Sequence, residues 1–158
     1  MLYTSGMDIG LDETALAAWR SFLTTHATLI ERIDRDLAAA ECVPLSWYDV
    51  LIELLEAPER RLRMSDLASR VVLSRSTLTH LVERLEREGL VRRERSDSDR
   101  RGAYAVLTDA GRAAMRKAWP IYAHGIAEYF AQHMRADEIA SLTSALERVL
   151  AALRGPSA

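Results

Sequence analysis

Apolar positions recur along this chain with helical spacing, broken once by a stretch of strand spacing. In residues 12–41, Leu16, Trp19, Leu23, His26, Ile30, Ile33, Leu37 and Ala40 alternate steps of three and four. That heptad-like seam predicts one long helix. Phe22 and Leu29 widen the stripe, so this helix is expected to touch two surfaces, and Pro44 stops it. A second helix is expected from Ser46, with Ser46 as its cap and Asp49 completing a capping box. Val50, Leu51, Leu54 and Leu55 form its inward face, Pro58 closes it, and residues 59–63 read as a charged connector.

A short third helix opens at Ser65 and Asp66 and carries Leu67, Ala68 and Val71. A fourth opens at Ser74, with Leu78, Leu81, Val82 and Leu85 inward and Gly89 placed for a left-handed cap. Residues 90–95 and 103–107 then read as two strands joined by the polar loop 96–102, a hairpin. Thr108 caps a fifth helix reaching about Met134, which Pro120 is expected to kink or split. A sixth starts near Asp137, with Ile139, Leu142, Leu146, Val149, Leu150 and Leu153 on one face.

Helix, three-residue turn (Val71, Val72, Leu73), helix, strand, loop, strand is the order of a winged helix-turn-helix, which presents its second helix to the DNA major groove. The residues expected on DNA there are Ser74, Arg75, Ser76, Thr77, Thr79, His80 and Arg84. Arginine can make two hydrogen bonds to guanine, and hydroxyls or imidazole can reach bases or phosphates. An ordinary capped amphipathic helix would carry a similar polar face. At the hairpin tip stand Asp99, Arg100 and Arg101, and a carboxylate beside a guanidinium can hold it extended for a narrow minor groove. The alternative there is a solvated turn.

Net charge is only −2, but it is unevenly spread. From Arg60 to Arg101 there are 12 arginines against 7 acids, a net +5, and the remainder is net −7. A basic middle between acidic ends suits a nucleic-acid surface, or equally a salt-bridged solvated helix face. With 158 residues, 49% of them hydrophobic, a packed domain is expected, and no run approaches the ~18 apolar residues of a membrane span. Residues 1–10 lack the pattern of a secretory signal, and the single cysteine, Cys42, suits a reducing cytoplasm. Cys42 lies beside Glu41, which disfavours a reactive thiolate. His124 and Glu128, four apart, lack the further ligands a zinc site needs. No enzyme motif is present, and no cofactor or metal is expected.

Residues 67–111, LASRVVLSRSTLTHLVERLEREGLVRRERSDSDRRGAYAVLTDAG, resemble the MarR family of bacterial regulators. The resemblance lies in the Leu-x-x-Glu-Gly-Leu-Val run from Leu85 into the wing, the Asp-x-Arg of Asp99 and Arg101, and the Leu-Thr-x-x-Gly entry from Leu107 to Gly111. One departure is Val72, where glycine is commoner. The resemblance implies an obligate dimer clasped by the first, fifth and sixth helices, with Arg101 entering the minor groove under the hold of Asp99. It also implies a cleft for small aromatic or anionic effectors, for which Trp19, His26, Trp47, Tyr48 and Tyr122 are the candidates; plain core packing is the other account of them. The fold expected is mainly α: about six helices plus a two-stranded wing, one domain over residues 1–158. Its DNA-binding lobe spans about 46–111 and its dimerisation helices about 12–41 and 108–154. The function expected is a homodimeric, ligand-responsive repressor on a near-palindromic operator in double-stranded DNA. The alternative is a winged-helix interaction or architectural module without an effector.

Overall fold

A computed structural model describes residues 11–71, 74–95 and 103–154. Six helices appear in it: α1 (Glu13–Ala39), α2 (Leu45–Glu56), α3 (Met64–Arg70), α4 (Arg75–Arg87), α5 (Asp109–Tyr129) and α6 (Ala136–Arg154). Three strands, β1 (Arg61–Arg63), β2 (Val91–Arg95) and β3 (Ala103–Leu107), form one antiparallel sheet in the order β1-β3-β2. The expected two-stranded hairpin is therefore part of a three-stranded sheet. Its edge strand lies where a charged connector was expected. Only Leu62 of β1 is buried, so Arg-Leu-Arg offers too little pattern to mark a strand. Left-handed backbone at Glu59 and Arg60 turns the chain into it.

The caps explain most boundaries. Asp12 accepts from the Ala15 amide to start α1, Ser74 from Thr77 to start α4, and Thr108 from Gly111 to start α5. Helix α2 departs from expectation: Ser46 does not cap it. Pro44 is the cap residue, and the Leu45 amide donates to Asp34 Oδ1 of α1 at 2.7 Å. A carboxylate eleven residues earlier thus replaces the local cap. Helix α4 ends in a Schellman motif. The Leu90 amide donates to Leu85, that of Gly89 to Glu86, and Gly89 takes φ +71°.

Pro120 does not split α5, which runs unbroken through it to Tyr129. The break expected later comes at Phe130, followed by a 3-10 turn at Ala131–His133.

The core joins α2, α3, α4 and the sheet to the C-terminal half of α1 and the first half of α5. Leu37, Leu51, Leu54, Leu67, Leu78, Leu85, Val50, Val82 and Val91 are fully enclosed. The rest of the apolar pattern is uncovered: Trp19 is 56% exposed on α1, and Val149 and Leu153 are 54% and 78% exposed on α6. Helix α6 touches the rest of the chain only sparsely. Among the described residues, no helix is long and apolar enough to cross a membrane.

Candidate nucleic-acid interface

Helix α4 is held from beneath by Leu78, Leu81, Val82 and Leu85, so its other face looks outward. Ser76, Thr77, Thr79 and His80 lie on that exposed surface, and Arg75 is the first residue of the helix. The Ser74 hydroxyl lies 3.0 Å from that of Ser76 and 2.7 Å from that of Thr77, a hydroxyl cluster at the positive end of the helix dipole. His80 Nδ1 is 3.4 Å from Glu83 Oε2.

The wing is locked to one flank of α4. Arg93 of β2 reaches Glu83 at 3.7 Å and Glu86 at 3.5 Å, and its amide donates to Glu86 Oε1 at 3.2 Å. Each exposed pair is worth only about 0.2–1 kcal/mol, but three contacts to one residue fix an angle between strand and helix. Strands β2 and β3 stay paired out to Arg95 opposite Ala103. Asp99, Arg100 and Arg101, expected at the tip between them, lie outside the described residues, as do Val72 and Leu73 of the turn.

At the base of the wing stands a cluster that sequence reasoning missed. The Arg61 guanidinium lies 4.3 Å from the centre of the Tyr104 ring and that of Arg63 5.4 Å. Arg63 Nε donates to the Tyr104 hydroxyl at 3.1 Å. The hydrogen bond from Arg63, then that from Arg61, holds the Tyr104 phenol below its ordinary pKa. Arg61 also reaches Glu94 of β2 at 3.6 Å, so β1 spans the sheet to brace the wing. The only sequence signal was an Arg-x-Arg spacing, legible once Arg63 is known to pair with Tyr104 across 41 positions.

On the other flank of α4, Arg84 lies over Trp47 of α2, guanidinium carbon 5.3 Å from the ring centre. The five candidate effector residues are thereby distributed over different places. Trp47 faces Arg84. Tyr48 and Tyr122 meet edge to face at 5.2 Å between α2 and α5, and burial raises both phenol pKa values. Trp19 stacks on Phe22, and Phe22 on His26. Of the five, His26 lines a cavity of about 450 Å³ between α1, the end of α5 and α6, with Phe22, Tyr129, His133 and Leu142. His124 and Glu128 pair with each other at 2.6 Å, and among the described residues no group of three or more ligands could hold a metal.

An outward-facing helix capped by hydroxyls, supported by an apolar base and flanked by a braced antiparallel wing, defines a winged helix-turn-helix DNA-binding protein. The model of the MarR family matches residues 43–102. The HTH-type transcriptional regulator YkoM of Bacillus subtilis is 31% identical over 118 residues, 75% of each chain. The homoprotocatechuate degradative operon repressor of Escherichia coli is 34% identical over 105 residues, 66% of this chain and 68% of that one. The crystal structure of Sco3205, a MarR family transcriptional regulator from Streptomyces coelicolor in complex with DNA, superposes with a TM-score of 0.86. It is 34% identical, covering 94% of this chain and 93% of that one. The chain belongs to the MarR family of transcription regulators.

Proposed function

We propose that this regulator works as a cytoplasmic homodimer that reads two half-sites of a near-palindromic operator and represses transcription until a small effector binds. The observation that carries the DNA reading is the exposed polar face of α4, set at a fixed angle to a braced wing. The apolar surface left uncovered on α1 and α6 supports the dimer, since stripes of that length mark an interface. The DNA-binding lobe then corresponds to about residues 46–111 and the clasp to about 12–41 and 108–154. Within the lobe, Ser74, Arg75, Ser76, Thr77, Thr79, His80 and Arg84 meet the DNA. No step of this function asks for catalysis or a cofactor.

The wing reading rests on sequence. Arg101 enters the minor groove, and Asp99 holds its guanidinium extended, which reduces the rotamer entropy lost on binding. Arg101→Ala is expected to weaken binding strongly and to flatten its salt dependence by about one counterion per wing. Asp99→Ala is expected to weaken binding too, although it removes a negative charge near DNA. Simple charge counting predicts the opposite sign. Titration of labelled duplex with each variant separates the two, and tighter binding by Asp99→Ala would refute the orienting role.

Effector response is supported by the cavity beside His26. It is apolar-walled, and His26 and His133 offer donors to an anionic group. Helix α5 runs from the Thr108 junction with the wing to Tyr129 at this cavity, about 31 Å at 1.5 Å per residue. A ligand that binds one spacing of the recognition helices better shifts the population toward it. Small aromatic carboxylates are expected to raise the melting temperature and release DNA, and His26→Ala to blunt both effects. A thermal-shift series with neither effect would favour the architectural module without an effector.

A further inference from the structure

We propose that the groove between the start of α2 and the flank of α4 binds a phosphate of the DNA backbone, with Arg84 as the contact and Trp47 as the residue that positions it. The inference rests on the DNA-binding reading and assigns a role within it to a tryptophan that sequence alone grouped with an effector pocket. The groove is about 410 Å³, and Ser46, Ser76, Thr77, His80 and Arg84 line it with Leu81. Among the described residues, no carboxylate lines it.

The two flanks of α4 differ electrostatically. On the wing side, Arg93 is matched by Glu83 and Glu86. On the α2 side, Arg84 has no ion pair among the described residues; its neighbour is the Trp47 ring at 5.3 Å. Trp47 is half-buried and packs against the core, so the ring offers a fixed platform. A guanidinium held over a ring by cation–π attraction still carries five N–H donors, enough to reach phosphate oxygens as well.

The position suits this ligand. A helix with its side chains is about 10–12 Å across and the major groove about 12 Å wide, so the flanks of an inserted helix face the backbones on either side. The wing occupies one flank of α4. The first turn of α2 occupies the other, bringing Ser46 and Arg84 to the remaining backbone. A surface arginine free in solvent loses rotamer freedom on reaching a phosphate, and the contact with Trp47 removes part of that loss beforehand.

A phosphate contact acts on every sequence, so the test uses a labelled 30-base-pair duplex of arbitrary sequence and the full chain, titrated across 50–200 mM salt. Arg84→Gln is expected to reduce the salt slope by about 0.9 per protomer and to weaken binding about eightfold per contact at 0.1 M salt. Trp47→Leu is expected to give part of that loss in the native background and none in the Arg84→Gln background, while Trp47→Phe, which keeps a ring face, stays near wild type. A wild-type salt slope for Arg84→Gln would overturn the contact. An equal loss from Trp47→Leu in both backgrounds would overturn the positioning role. Failure of the unaltered protein to bind the duplex at all would bring down the DNA reading with it.

Discussion

Replacing Gly111 by alanine is expected to destabilise the fold by about 3 kcal/mol, although the same change in an exposed helix stabilises by about 1 kcal/mol. A Cβ at Gly111 would stand 2.3 Å from the Leu90 carbonyl oxygen and 2.7 Å from Leu107 Cδ1. The first of these is backbone and cannot swing aside. That same carbonyl accepts from the Thr108 amide at 3.1 Å, the Thr108 hydroxyl is shared between the Gly89 and Leu90 carbonyls at 2.7 and 2.9 Å, and the hydroxyl oxygen accepts from the Gly111 amide at 3.0 Å. Making room for a methyl group separates α5 from the start of the wing and strains a junction of three hydrogen bonds, each worth about 1 kcal/mol net. For a chain of this size the melting temperature should fall by roughly 6–12 °C. Gly89→Ala is the control: nothing lies within 4 Å of its Cβ, and only the left-handed backbone is strained. A thermal scan in which Gly111→Ala melts no lower than Gly89→Ala would show that α5 is not clamped to the wing in this way.

A pair of glutamates on α6, Leu146→Glu with Leu150→Glu, is expected to convert the protein to monomer. Both leucines lie four residues apart on the uncovered face, and both are exposed in the isolated chain. In a two-fold dimer each substitution occurs twice, so four carboxylates enter an apolar seam, at several kcal/mol for each one left unpaired. Sedimentation at micromolar concentration should give about twice 17.7 kDa for the unaltered protein and one chain mass for the variant. DNA binding should fall by about a hundredfold or more, because two linked half-site contacts become separate ones. A variant that remains dimeric would move the interface off α6.

Helical periodicity and capping chemistry made the helices legible: Ser74, Thr108 and Gly89 sit where their side chains or backbone freedom require. What stayed hidden depended on partners distant in sequence. Strand β1 has one buried residue, so it exists through pairing with β3, and nothing local announces it. Ser46 carried a plausible cap sequence, but Asp34 of α1 took the role through tertiary packing. Pro120 is expected to kink or split α5, and the helix runs through it unsplit. The aromatic residues were visible as composition, yet composition does not say which surface each faces. Trp47 turned toward α4 and Tyr48 toward α5, whereas His26 took a place between α1 and α6. The sequence marked α4 as the candidate DNA-facing element, while the braces that set its angle to the wing, Arg93 with Glu83 and Glu86, needed the fold to be seen.

The central claim is that two copies of α4 read a symmetric site. Selection of bound duplexes from a random pool by the unaltered protein tests it most directly. Enrichment of an inverted repeat with half-site centres about 10 base pairs apart, one helical turn, is the predicted result. Recovery of a single unpaired half-site, or of no sequence above the non-specific background, would contradict it.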